Sequence, residues 1–172
     1  MCAGVISWCN IIKFGNVCHT NKYTNNRHFM RTKKAVRHEE QIDREIEKAV
    51  SRFSQHLMSN SKWVRLINKL VENADKVLKI EFKKVQQNQI GELYIDEDTA
   101  FEFDYWQIGF EGNNSLGGWL LFKEIEYLVF PKTINLDKQI KQDLEQIEAV
   151  IKSAGKFFVE TDEKGLKLVC YK

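Results

Sequence analysis

Proline occurs once in the 172 residues, at Pro131, and glycine nine times. With no low-complexity tract either, this scarcity argues against a chain that is mostly linker or mostly disordered. Histidine and cysteine are almost missing from the rear two thirds. His19, His28, His38, His56, Cys2, Cys9 and Cys18 all precede Asn60, and only Cys170 follows it. That distribution all but excludes a Cys/His zinc site, a Cys-His nucleophile pair or a disulfide framework from the rear part. In the front, Cys9, Cys18, His19 and His28 have neither C-x-x-C nor H-x-x-x-H spacing, so no metal site and no cofactor are expected.

Long apolar runs are also lacking. The opening MCAGVISWCNII has no basic n-region, is broken by Gly4, Ser7 and Asn10, and falls far short of the roughly 20 residues of a membrane span. Neither a signal peptide nor a transmembrane helix is expected, which leaves a cytoplasmic protein with reduced thiols.

What is present is first an uneven charge. Residues 1–59 hold ten Lys/Arg against five Asp/Glu, giving +5, whereas residues 60–172 hold sixteen against nineteen, giving −3. A basic front, Arg27 to Arg37, is able to touch nucleic acid electrostatically, but an acidic main body counts against phosphate-backbone binding by the folded part.

Residues 1–36 show no sustained period and read as a poorly ordered or loosely attached extension. Over 37–57, Ile42, Ile46, Val50, Phe53 and Leu57 recur at helical spacing, predicting an amphipathic helix. Its narrow apolar stripe has two uses: docking on the main domain, or pairing with a second copy as a homodimer. A single domain is expected over 58–172. Asn60 or Ser61 caps a helix whose Trp63, Leu66, Ile67 and Leu70 share a side. VLKIEFKKV alternates, with Leu78, Ile80 and Phe82 inward and Lys79, Glu81 and Lys83 outward. GELYID and AFEFDYW repeat the alternation, with Phe101, Phe103 and Tyr105 inward in the second, and Asp96 to Thr99 turns between them.

GFEGNNSLGG reads as a connection, and without a G-K-[S/T] sequence or a following helix it is a poor phosphate loop. WLLFKEIEYLVF is a strand with an irregular turn at Phe122-Lys123-Glu124, stopped by Pro131. Asp137 to Ala154 predicts a helix carrying Ile140, Leu144, Ile147, Val150 and Ile151, capped by Gly155. KFFVET, the turn DEKG and LKLVCYK close the chain as a hairpin in which Gly165 is expected to supply positive φ. Neighbouring hairpins with helices grouped apart imply an α+β fold: a mainly antiparallel sheet of about five to six strands with helices packed on one face.

SKWVRLINKL, KEIEYLVF and the closing FFVETDEKGLKLVCYK give the chain, over residues 59–172, a resemblance to a family of small bacterial proteins of unknown function. That family has a Lys-Trp helix start, an Ile-Glu-Trp-Leu-like strand and a hairpin ending near Gly-Tyr. Tyr127 stands here in place of the Trp and Cys170 in place of the Gly. These motifs are structural, so the resemblance implies no activity. Such proteins are similar in size and make-up to immunity proteins encoded beside bacterial toxins.

One stretch concentrates chemistry. YIDEDTAFEFDYW, Tyr94 to Trp106, carries five carboxylates and five aromatic rings. Alternation turns Glu92, Tyr94 and Asp96 outward on one strand and Glu102, Asp104 and Trp106 outward on the next. Three readings compete. In the plainest, Lys79, Lys83 and Lys84 neutralise the acids as cross-strand pairs. In the second, rings exclude water and carboxylates steer a basic protein partner. In the third, a carboxylate pair is catalytic, or Asp96, Asp98 and Glu102 hold a divalent cation. Catalysis needs one carboxyl kept neutral by burial, and the turn lacks the D-x-D-x-D-G loop that calcium favours. The expectation is a non-enzymatic protein-binding domain of the immunity type, acting through Glu92, Tyr94, Asp96, Glu102, Asp104 and Trp106. A nucleic-acid-associated accessory protein and an uncharacterised enzyme are the alternatives.

Overall fold

A computed structural model describes residues 33–96, 108–135 and 140–172. Of the extension expected to be loose over 1–36, residues 1–32 lie outside the described residues, whereas Lys33 to Val36 are helical and open the first helix; the compact unit runs from Lys33 to Lys172. Its elements are α1 (Lys33–Val50), α2 (Asn60–Val71), β1 (Ile80–Lys84), β2 (Ile90–Leu93), β3 (Gly109–Glu111), β4 (Trp119–Leu121), a 3₁₀ turn (Phe122–Glu124), β5 (Ile125–Pro131), β6 (Thr133–Asn135), β7 (Ile140–Lys141), α3 (Leu144–Ala154), β8 (Phe158–Thr161) and β9 (Gly165–Val169). The fold is α+β. Five strands form an antiparallel sheet in the order β2-β1-β5-β9-β8, and β3-β4 and β6-β7 are separate two-stranded ribbons.

Period two sorts the sheet into two faces. Ile80 and Phe82 of β1, Leu128 and Phe130 of β5, and Leu166 and Leu168 of β9 are buried in one core. Trp63, Leu66, Ile67 and Leu70 of α2 and Ile147, Val150 and Ile151 of α3 join them, so the helices cover that face. Trp63, 1% exposed, stacks on Phe122 with ring centroids 5.1 Å apart and is a core residue.

Several local expectations are corrected by what the backbone meets. The cap of α2 is Ser59, one residue before Asn60, its hydroxyl accepting from the Lys62 N–H. Leu78, expected inward, is 55% exposed. The side-chain oxygen of buried Gln142 accepts from the Leu78 and Lys79 N–H groups at 3.2 and 3.3 Å, so the backbone there is held by a side chain and the ladder starts only at Ile80. GFEGNNSLGG is a hairpin: β3 pairs with β4, and Gly112, Gly117 and Gly118 turn with φ of 77°, 73° and 66°. The third helix begins at Leu144. Asp143 Oδ1 accepts from the Glu145 and Gln146 N–H groups, while Ile140 sits on β7 and is 42% exposed. Hydrogen bonds from these amides, that of Gln146 first, hold the Asp143 carboxyl below the usual range. Gly165 does not take positive φ. A Cβ there would lie 2.6 Å from the Phe130 carbonyl oxygen, so close approach of β5 is what requires glycine. The turn is held by Asp162 Oδ1, which accepts from Lys164 N at 2.8 Å and Gly165 N at 2.9 Å.

The first helix ends at Val50, short of the predicted Leu57. Ile46 and Ala49 are buried in the domain core, and Asp43 pairs with Lys123 at 2.9 Å. The stripe therefore docks on the chain's own core through Ile46 and Ala49, with Val50 and Phe53 packed beside them, while Ile42 is 37% exposed. After α1 the chain pairs with the C-terminal end of the sheet: Gln55 N donates to Lys172 O, Lys172 N to Gln55 O, and Leu57 N to Cys170 O. His56 stacks on Tyr171 at 4.5 Å, and the Tyr171 hydroxyl donates to Lys123 O.

Candidate partner-binding site

The register places Glu81 of β1 opposite Glu92 of β2. Two like charges facing across a ladder destabilise it, so a cation is needed there. Lys79 supplies it, its Nζ lying 2.8 Å from Glu81 Oε1. The hydrogen bond to Glu81 holds the Lys79 ammonium above the usual lysine range, and the charges of Glu81 and Glu92 add to this against partial burial. The other two lysines go elsewhere. Lys83 pairs with Glu126, the extra residue of a bulge in β5 formed where Lys83 faces Tyr127 and Lys84 faces Ile125. Lys84 Nζ lies 3.5 Å from Glu124 Oε2, both side chains nearly buried. The expected neutralisation is thus real on the sheet, but it acts mainly on Glu81, Glu124 and Glu126.

Glu92, Tyr94 and Asp96 come together. With Val77, Leu78, Lys79, Ile80, Leu93 and Ile95 they line a depression of about 120 Å³ where β2 leaves the sheet. Its exposed lining is more polar than apolar: Val77, Ile80 and Leu93 are buried beneath it, while Glu92, Asp96, Lys79 and Tyr94, a residue 49% exposed, contribute the polar groups. The ladder itself stops at Leu93, but outward and inward positions keep alternating to Asp96. The β3–β4 turn fixes this exit. Tyr94 N donates to Asn113 O, Ser115 N donates to Glu92 O, and Glu92 N donates to the Ser115 hydroxyl at 2.8 Å. Asn114, buried at 5% exposure, bonds Leu116 N and Gly118 O and so keeps the turn in shape. Glu102, Asp104 and Trp106, with the inward positions Phe101, Phe103 and Tyr105, fall in 97–107, outside the described residues.

The buried acid that the sequence does not single out is Glu124. Its carboxylate accepts from Gln86 Nε2 at 2.7 Å and Leu121 N at 2.9 Å, beside Lys84. These partners tie it to the fold. No group of three or more His, Cys, Asp or Glu side chains among the described residues is arranged to hold a metal. Burial pushes the Cys170 thiol far up, so it is a poor nucleophile. No described helix is long and apolar enough to cross a membrane.

No protein-family model, curated protein or solved structure matches the chain. The site therefore rests on its own chemistry. A depression of this size accommodates one inserted side chain rather than a cofactor or drug-sized ligand, for which sites measure about 300–1,000 Å³.

Proposed function

We propose that this protein is a non-enzymatic binding module that captures a basic protein partner at the end of β2, in the manner of an immunity protein neutralising a toxin. The observation that carries the reading is that Glu92, Tyr94 and Asp96 line one depression together with Lys79 and Leu78. An inserted lysine or arginine brings its charge among the carboxylates while its methylene stem stays against the lining. The exposed Tyr94 ring and Leu78 next to it supply the water-excluding contacts that make an anchor tight. Glu102, Asp104 and Trp106 follow within a few residues in sequence and extend the same acidic-aromatic character.

The test is co-expression with a basic, growth-arresting partner, followed by affinity measurement on the purified pair. Glu92→Lys is expected to weaken binding by about 2 kcal/mol or more, because it reverses a rim charge as well as removing one. Tyr94→Ala is expected to cost a similar amount through lost packing. Thermal melting should change little for either, Tyr94 being exposed and Glu92 half-buried opposite the like charge of Glu81. Binding unchanged in both variants would remove this site and the proposed role with it.

A further inference from the structure

The two edges of the five-stranded sheet are finished differently. At β2 the outer side is occupied by the β3–β4 turn, through the bonds of Asn113 and Ser115 described above. At β8, among the described residues, only β9 pairs, and only on one side. The hydrogen-bond phase of that ladder is fixed by Asp162 N donating to Gly165 O, and by Cys170 N donating to Glu126 O on the far side of β9. Bonded pairs alternate along an antiparallel ladder. Phe158, Glu160 and Asp162 therefore turn their backbone groups to β9, and Val159 and Thr161 turn theirs to the open side.

We propose that β8 pairs antiparallel with β8 of a second copy of this chain, with Val159 on the two-fold axis. A two-fold axis through a hydrogen-bonded pair of such a ladder makes one residue face itself, and Val159 and Thr161 are the β8 residues with outward backbone groups. Charge decides between them. Centring on Thr161 sets Glu160 against Asp162 of the second copy, a like-charge pair. Centring on Val159 sets Glu160 against Phe158 of the second copy, and over that ring lies Lys172, its Nζ 3.7 Å from the centroid. Each Glu160 then sits between its own Lys167, 3.9 Å away, and Lys172 of the other copy. Lys156 meets Asp162 in the same register. On the inner side Val159 meets Val159 and Phe157 meets Thr161, continuing the apolar face, since Phe157 and Val159 already pack against the core.

The product is a ten-stranded sheet with a β2 strand at each end. At about 4.8 Å per strand, the two β2 edges lie roughly 40 Å apart. The inference does not depend on what binds there.

Sedimentation equilibrium of the full chain tests it. A species of twice the 20.2 kDa chain mass is expected at micromolar concentration. Val159→Pro deletes an N–H that β9 does not use, and Glu160→Lys and Lys172→Glu each reverse one of the facing charges. Each should raise the dimer dissociation constant by about tenfold or more, and the double variant Glu160→Lys with Lys172→Glu should regain most of the loss. The two charge variants lie at the surface and keep the test valid if the proline variant melts early. A monomeric wild type throughout this range, a dimer indifferent to all three substitutions, or a double variant no better than the singles would each overturn the proposal.

Discussion

At the scale of single residues, the acids of this protein divide into those that hold the fold and those that face solvent. Glu124 belongs to the first kind. Its carboxylate offsets the charge of Lys84, whose side chain is 12% exposed, and accepts from Gln86 and from the Leu121 amide. Glu124→Ala leaves a nearly buried ammonium and a backbone N–H without partners, so urea unfolding is expected to show a loss of about 3 kcal/mol. Glu92→Lys, by contrast, is expected to leave the unfolding midpoint almost in place while changing binding. Sequence alone does not separate the two glutamates. Glu124 lies in a run of apolar and charged residues with no distinguishing neighbour, and its cation is 40 positions away. Gln142 is equally silent in the sequence, although its amide joins Leu78, Lys79 and Pro131 across three segments.

Among elements, α1 is the one whose role the sequence leaves open. The spacing of Ile42, Ile46, Val50 and Phe53 announces an amphipathic helix but not what covers it. In the fold its last turns are covered by the domain, Ile46 at 1% and Ala49 at 3% exposure, and Arg52 Nη2 donates to the Val85 carbonyl. Ile46→Ala is therefore expected to cost about 2–4 kcal/mol in denaturant unfolding, as a core truncation does, at every protein concentration. Were the stripe a dimer seam, the loss would vary with concentration. The Phe122–Glu124 turn is an element that was legible: a break there is expected from FKE between two apolar runs, and the 3₁₀ turn lies on those residues. The start of the third helix was not. Ile140 continues the helical spacing, but Asp143 captures the first free amides and ends the extended β7 segment before it.

For the molecule as a whole, the sheet has a strong middle and unequal margins. Strands β1, β5 and β9 each have neighbours on both sides, whereas β8 has one among the described residues. Amide hydrogen exchange is expected to be slowest at Leu128, Leu166 and Leu168. It is expected to be fast at Val159 and Thr161 in dilute protein, slowing as concentration rises and copies associate. A concentration-independent rate at Val159 would contradict association through β8. What the sequence determined by itself is the α+β class and the inward residues of α2 and β1, because periods of 3.6 and 2 are written in near neighbours and need no knowledge of the rest of the chain. What only the tertiary structure decided is which lysine meets which carboxylate, what covers α1, and that Glu92, Tyr94 and Asp96 share one depression with Leu78 and Lys79. Those outcomes depend on strand register and on contacts between residues far apart in sequence, which no local pattern encodes.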